Sequence, residues 1–191
     1  VYTTSTHDLP SARSQGEPLT GRLKPAMGAV FTNLLAGRDD DWVLLASEAG
    51  YGFRVQLKDL RSKNKAGKAL VTLPAGVKLL TPTKIANASD LIAVATLQGR
   101  LLIFPVAALP ALSKGKGNKL IQIPSADLVD NSDKIVSVAV IAERKSLQVI
   151  AGKRCLTMKP KDMENYIGVR AKRGQLLPRG FQRVEQLMGT V

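Results

Sequence analysis

Residues 50–73 read GYGFRVQLKDLRSKNKAGKALVTL, and residues 99–123 read GRLLIFPVAALPALSKGKGNKLIQI. The second stretch is the first again, one period later. Gly50 and Gly99 stand 49 positions apart, as do Leu60 and Leu109, while Gly67 and Gly117 stand 50 apart. Lys63 and Lys65 fall on Lys114 and Lys116 to within a residue or two, and the closing run Ala69–Leu73 falls on Lys119–Ile123. Self-similarity at this period means an array of one supersecondary unit, not a single irregular core.

The template extends in both directions. Upstream, Leu9 and Gly16 each precede Leu60 and Gly67 by 51 positions. Downstream, Gly152 follows Gly99 by 53 and Gly174 follows Gly117 by 57. Four units result, at roughly 1–33, 34–82, 83–130 and 131–191, all within one domain. The first unit lacks opening strands and the chain starts without Met. The expectation is a fragment of a longer protein, with part of a unit upstream.

Within a unit the hydrophobic pattern alternates with period two, as half-buried strands require. Phe53, Val55 and Leu57 face one way and Arg54, Gln56 and Lys58 the other. Leu147 and Val149 flank Gln148, and Leu156 and Met158 flank Thr157. Trp42–Ala46 and Leu91–Ala95 are apolar throughout, which predicts strands buried on both faces. Turns at Glu48–Gly50, Leu97–Arg100 and Ala151–Arg154 predict hairpins, with glycine supplying the positive φ. The best helical stretch is Lys161–Ile167, and Gly180–Val184 reads as a late strand that could cap the array. The predicted class is all-β: about four four-stranded units of some fifty residues, the first incomplete, set radially as in a propeller.

Charge is the second signal. The 28 Lys and Arg against 15 Asp and Glu give a net charge of +13, which points to a polyanionic partner. The bases are gathered at equivalent points of successive units. Arg61, Lys63, Lys65 and Lys68 form one loop, and Lys114, Lys116 and Lys119 the next. The third segment holds Arg170, Lys172, Arg173, Arg179 and Arg183. None of the three stretches carries an acid, so an array would display them as a stripe.

Composition excludes several classes. No apolar run approaches the ~18–20 residues needed to span a bilayer; among polyanionic partners nucleic acid comes first and an anionic membrane second, and no membrane is among the expected partners. One Cys and one His cannot build a four-ligand zinc site. The single Cys155 also fits a reducing, cytoplasmic compartment and reads as a small core residue. His7 has no partner for a catalytic triad, and there is no phosphate-cradling GxxxxGK[ST] or GxSxG elbow. Asp39–Asp41 reads as a solvated loop, and Tyr2, Tyr51 and Tyr166 as packing residues. No catalytic, cofactor or metal site is expected in this chain. Aromatics are only 4% of residues, which disfavours a stacking platform for single strands. No recognition helix is present either. What remains is phosphate contact along a duplex, sensitive to salt and indifferent to sequence. A basic rim docking an acidic protein is the alternative.

The chain resembles the C-terminal domain of the A subunit of bacterial type IIA topoisomerases, topoisomerase IV and DNA gyrase, and is closest to the topoisomerase IV branch. The resemblance is carried by residues 11–21 (SARSQGEPLTG), Gly50-Tyr51-Gly52-Phe53, Lys65-Ala66-Gly67-Lys68-Ala69-Leu70 and residues 112–119 (LSKGKGNK). It implies a β-pinwheel, a propeller-like disc whose blades exchange strands. It implies a basic outer edge that binds and bends duplex DNA in decatenation and supercoil relaxation during chromosome segregation, in a cytoplasmic, nucleoid-associated enzyme. It places the cleaving tyrosine elsewhere in the A subunit. ATP hydrolysis, with its Mg²⁺, it places in the partner B subunit. Gyrase carries a glycine-rich basic heptapeptide for wrapping DNA. Here Ser14–Glu17 and Arg170–Gln175 are degenerate versions of it, so the resemblance does not extend to wrapping.

Overall fold

The computed structural model describes residues 1–11, 13 and 15–190. Ala12 and Ser14, which belong to the stretch 11–21 and to the degenerate heptapeptide, lie outside the described residues. The described residues form these strands: β1 (Trp42–Ala46), β2 (Tyr51–Gln56), β3 (Thr83–Ile85), β4 (Leu91–Thr96), β5 (Arg100–Pro105), β6 (Asn118–Lys119), β7 (Ile135–Ile141), β8 (Leu147–Ala151), β9 (Arg154–Met158), β10 (Gln175–Leu176) and β11 (Gln186–Gly189). Among the described residues the longest helix is Ser125–Val129. None is long and apolar enough to cross a membrane.

The strands form three antiparallel sheets, each built on one of the expected hairpins. The orders are β3-β1-β2-β6, β10-β5-β4-β7 and β11-β8-β9. The hairpin glycines Gly50, Gly99 and Gly152 hold φ of +89°, +78° and +59°, as tight reversals require. Lys161–Ile167 contains a turn of α-helix to Met163 and a 3₁₀ turn over Glu164–Tyr166.

The hydrophobic pattern accounts for how the sheets stack. Val43 and Leu45 of β1 point into one cluster with Phe53, Val55, Leu60 and Leu70. Leu44 and Ala46, on the opposite face, meet Ile92, Val94, Phe104 and Leu120. Ala93, Ala95, Leu101 and Ile103 leave the second sheet's other face to meet Leu147, Val149, Met158 and Leu187 of the third. A strand covered on both faces must be apolar on both. β4 lies between the first and third sheets, and β1 lies between the second sheet and the segment carrying Leu57, Leu60, Leu70 and Val71, which is why neither shows polar alternation.

The outer strand of each four-stranded sheet is donated from beyond the next hairpin. Tyr51 and Gly52 of β2 pair with Lys119 and Asn118 of β6. Leu101 and Arg100 of β5 pair with Gln175 and Leu176 of β10 in the same way. Each donated strand follows directly on a basic loop, so neighbouring blades exchange strands at the charged edge.

Two expectations need correction. Gly180–Val184 is not a strand: Phe181 N–H donates to Pro178 C=O at 3.0 Å in a turn, and the strand begins at Gln186. Cys155 is exposed rather than buried. It pairs with Ile150, on the face of the third sheet opposite Val149 and Leu156, and no further described sheet packs there.

Candidate nucleic-acid interface

The basic loops are not independent appendages. Each hydrogen-bonds through its backbone to a neighbouring unit. Gly115 N–H donates to Leu70 C=O at 2.7 Å, and Thr72 N–H donates back to Gly115 C=O at 3.1 Å. One period on, Ala171 N–H donates to Leu120 C=O at 2.9 Å and Gln122 N–H to Lys172 C=O at 3.0 Å. At the start of the series Lys24 N–H donates to Lys65 C=O at 3.2 Å. The stripe expected from spacing is therefore a chain of hydrogen-bonded loops.

Each loop is also closely seated. Gly117, at φ +83°, lies so close to β2 that a Cβ there would fall 2.5 Å from the Gly52 carbonyl oxygen. Gly174, at φ +74°, sits the same way on β5, with a Cβ position 2.6 Å from the Leu101 carbonyl oxygen. At Gly67 the equivalent space is taken by the ring of Tyr2, and Val1 and Lys68 exchange backbone hydrogen bonds of 2.7 and 2.8 Å beside it.

The twelve cations named from sequence fall into several situations. Lys63, Lys65, Lys114, Lys172, Arg179 and Arg183 are exposed, with no ion pair to an acid among the described residues. Lys68 is exposed too, with Nζ donating to the Asp59 carbonyl at 3.0 Å. Arg61 pairs with Asp39 at 2.7 Å and Arg173 approaches Asp127 at 3.9 Å; both arginines are largely open to solvent, where such pairs contribute little. Lys116 and Lys119 belong to an aromatic contact that sequence reading missed. Lys116 Nζ stands 3.9 Å from the centroid of the Tyr51 ring and Lys119 Nζ 6.0 Å, both within cation–π range.

Arg170 differs from the rest. Its Nε donates to Ala108 C=O at 2.9 Å and its Nη1 to Lys119 C=O. The guanidinium thereby ties the third loop to the second, and its role is to position the edge. Arg179 and Arg183 lie past β10, in the segment that crosses the second hairpin: Leu177 N–H donates to Gly99 C=O at 2.9 Å, and Gln182 fills the space at Gly99. The structure sets these two apart from the hydrogen-bonded loop series. Just before the third loop, burial pushes the Tyr166 phenol up from its usual value.

The acid loop Asp39–Asp41 is a structured turn. Asp41 Oδ2 accepts from Arg38 N–H at 3.1 Å ahead of β1, and Lys84 lies 3.6 Å away. Asp90, 49 positions on, does the same ahead of β4, where its Oδ2 accepts from Ala86 and Asn87 at 3.1 and 2.8 Å. Among the described residues no group of three His, Cys, Asp or Glu could hold a metal ion.

Stacked sheets that exchange outer strands, with basic loops at the points of exchange, define a propeller-type domain. Comparison gives the family. The model described as "DNA gyrase C-terminal domain, beta-propeller" matches residues 41–85 and 90–142, and the chain belongs to that family. The A subunit of DNA topoisomerase 4 from Pseudomonas aeruginosa is 48% identical over 188 residues, 98% of this chain and 25% of the relative. Its counterpart from Escherichia coli K12 is 45% identical over 179 residues, 94% of this chain and 24% of the relative. The chain thus spans about a quarter of the curated relatives it matches. The solved E. coli ParC C-terminal domain superposes with a TM-score of 0.88 at 44% identity, covering 97% of this chain and 75% of that one.

Proposed function

We propose that this chain is the duplex-DNA-binding and DNA-bending domain of a topoisomerase IV A subunit. The observation that carries the reading is the series of backbone hydrogen bonds linking the basic loops, Lys65 to Lys24, Gly115 to Leu70 and Thr72, Ala171 to Leu120 and Lys172 to Gln122. These linked loops would display their cations along one edge that curves with the disc. A duplex that touches several loops at once must bend, at a cost of about 1–6 kcal/mol for 40–90° over one site, which the added phosphate contacts offset. Strand cleavage belongs to the remainder of the A subunit. ATP and Mg²⁺ chemistry belongs to the holoenzyme with its B subunit. The domain's contribution is to hold DNA in a geometry suited to decatenation and supercoil relaxation in the bacterial cytoplasm.

The test is anisotropy of a ~40-bp duplex and of single strands across a salt series. If roughly six to eight phosphates are engaged, log affinity should fall against log salt with a slope of about −5 to −7. Replacing Lys114, Lys116 and Lys119 together with Gln should reduce the slope by about 2–3. No duplex binding at low salt would refute the reading and turn the basic edge toward an acidic protein partner.

A further inference from the structure

Tyr51 follows the hairpin glycine of the first sheet, and Arg100 follows that of the second, 49 positions on. Both side chains reach the basic loop donated by the next unit. Tyr51 lies under Lys116 and Lys119, and Arg100 Nη1 donates to Gly174 C=O at 3.2 Å. The residue after each of these hairpin glycines thus touches the following loop, through its lysine heads at one blade and through its backbone at the next. Only the first arrangement acts on the charged groups themselves.

We infer that Tyr51 is a positioning residue for duplex phosphate, holding the Lys116 ammonium at the rim. The inference rests on the DNA-binding reading above. Lys116 lies in a loop between two positive-φ glycines, Gly115 and Gly117, and its side chain is exposed. An exposed lysine ordinarily samples many rotamers and loses that freedom when it meets an anion. With Nζ 3.9 Å from the ring centroid, the ammonium is already localised. A cation over one aromatic face keeps its remaining N–H bonds directed away from the ring. The ring therefore orders Lys116 without consuming the donors a phosphate oxygen needs. Lys119, half-buried in β6, places its Nζ 6.0 Å from the same ring, at the outer limit of a cation–π contact.

Three single variants of the 191-residue chain test this, each checked for an unchanged melting temperature: Tyr51→Leu, Tyr51→Phe and Lys116→Ala, with the double variant Tyr51→Leu/Lys116→Ala. Tyr51→Leu should weaken duplex binding by about threefold, as loss of an exposed cation–π contact implies, whereas Tyr51→Phe, which keeps the ring, should match the parent. In the Lys116→Ala background Tyr51→Leu should have a clearly smaller effect, since only the longer Lys119 contact is left to lose. Unchanged or tighter binding by Tyr51→Leu, or full additivity with Lys116→Ala, overturns the inference while the parent's salt-steep binding upholds the DNA reading. A parent chain that binds no duplex overturns the DNA reading itself, and the inference with it.

Discussion

Gly117→Ala is the substitution that tests the strand exchange most directly. At φ +83° an added side chain costs about 1–2 kcal/mol in backbone strain. The new Cβ would also lie 2.5 Å from the Gly52 carbonyl oxygen and 2.6 Å from its carbon. Both neighbours are main chain in β2, so neither can rotate away, and overpacking of this kind adds about 1–3 kcal/mol. The total is about 2–5 kcal/mol, or a fall of roughly 5–15 °C in melting temperature for a chain of this size. Gly115→Ala is the internal control. It lies in the same loop at φ +119°, with nothing within 4 Å of the added carbon. Its φ lies further from the left-handed well than the +68° that Ala171 holds at the matching tip of the next loop, so backbone strain of about 1–3 kcal/mol, without overpacking, is expected there. Thermal melting of the two variants side by side decides the matter. If Gly117→Ala lowers the melting temperature by less than about 4 °C, β6 is not seated on β2 in solution and the donated-strand arrangement is wrong.

The other predictions concern the acid turns and the thiol. Asp90→Ala removes the acceptor for two backbone N–H groups at a buried position and should destabilise by about 2–4 kcal/mol in urea unfolding. Asp39→Asn releases only the exposed pair with Arg61; stability should stay within about 1 kcal/mol and duplex binding should hold or tighten slightly. Cys155 should react with a thiol reagent in the folded protein at a rate close to that in denaturant, because it is exposed; protection by more than about tenfold would contradict the free face of β9.

Much of this organisation was legible in the sequence because the repeat is written in glycine, charge and apolar doublets. A hairpin glycine is fixed by φ, and an inner strand is fixed by burial on both faces, so Gly50, Gly99 and the runs Trp42–Ala46 and Leu91–Ala95 could be read from the residues alone. The basic loops were legible as clusters because their charges recur at the same point of each unit. Partners across blades were not. Nothing local in Lys116 announces the Tyr51 ring 65 positions earlier, and Arg170 looks like any loop arginine until its two carbonyl acceptors are seen. The 49-position match of Tyr51 with Arg100 was the available signal, but the two side chains differ in chemistry and a match of roles needs the fold. Cys155 misled because it sits in a strand beside apolar Leu156; burial depends on whether a neighbouring sheet covers that face.

Holding like charges on adjacent loops is unfavourable, and a chain with net charge +13 resists bringing its cations into register. The fold offsets this largely with backbone bonds. Gly115 and Ala171 fix each loop to its predecessor, and β6 and β10 fix it to the preceding sheet. Both attachments are insensitive to salt and independent of the lysine heads, which stay free to meet a ligand. The arrangement therefore separates two requirements that conflict in a flexible basic tail: concentrated positive charge and low conformational freedom. On the proposed reading, a polyanion following the edge would relieve the repulsion and find most of the ordering already done, gaining affinity from preorganisation. It would also stabilise the fold, by binding the assembled edge and not the unfolded chain in the same geometry.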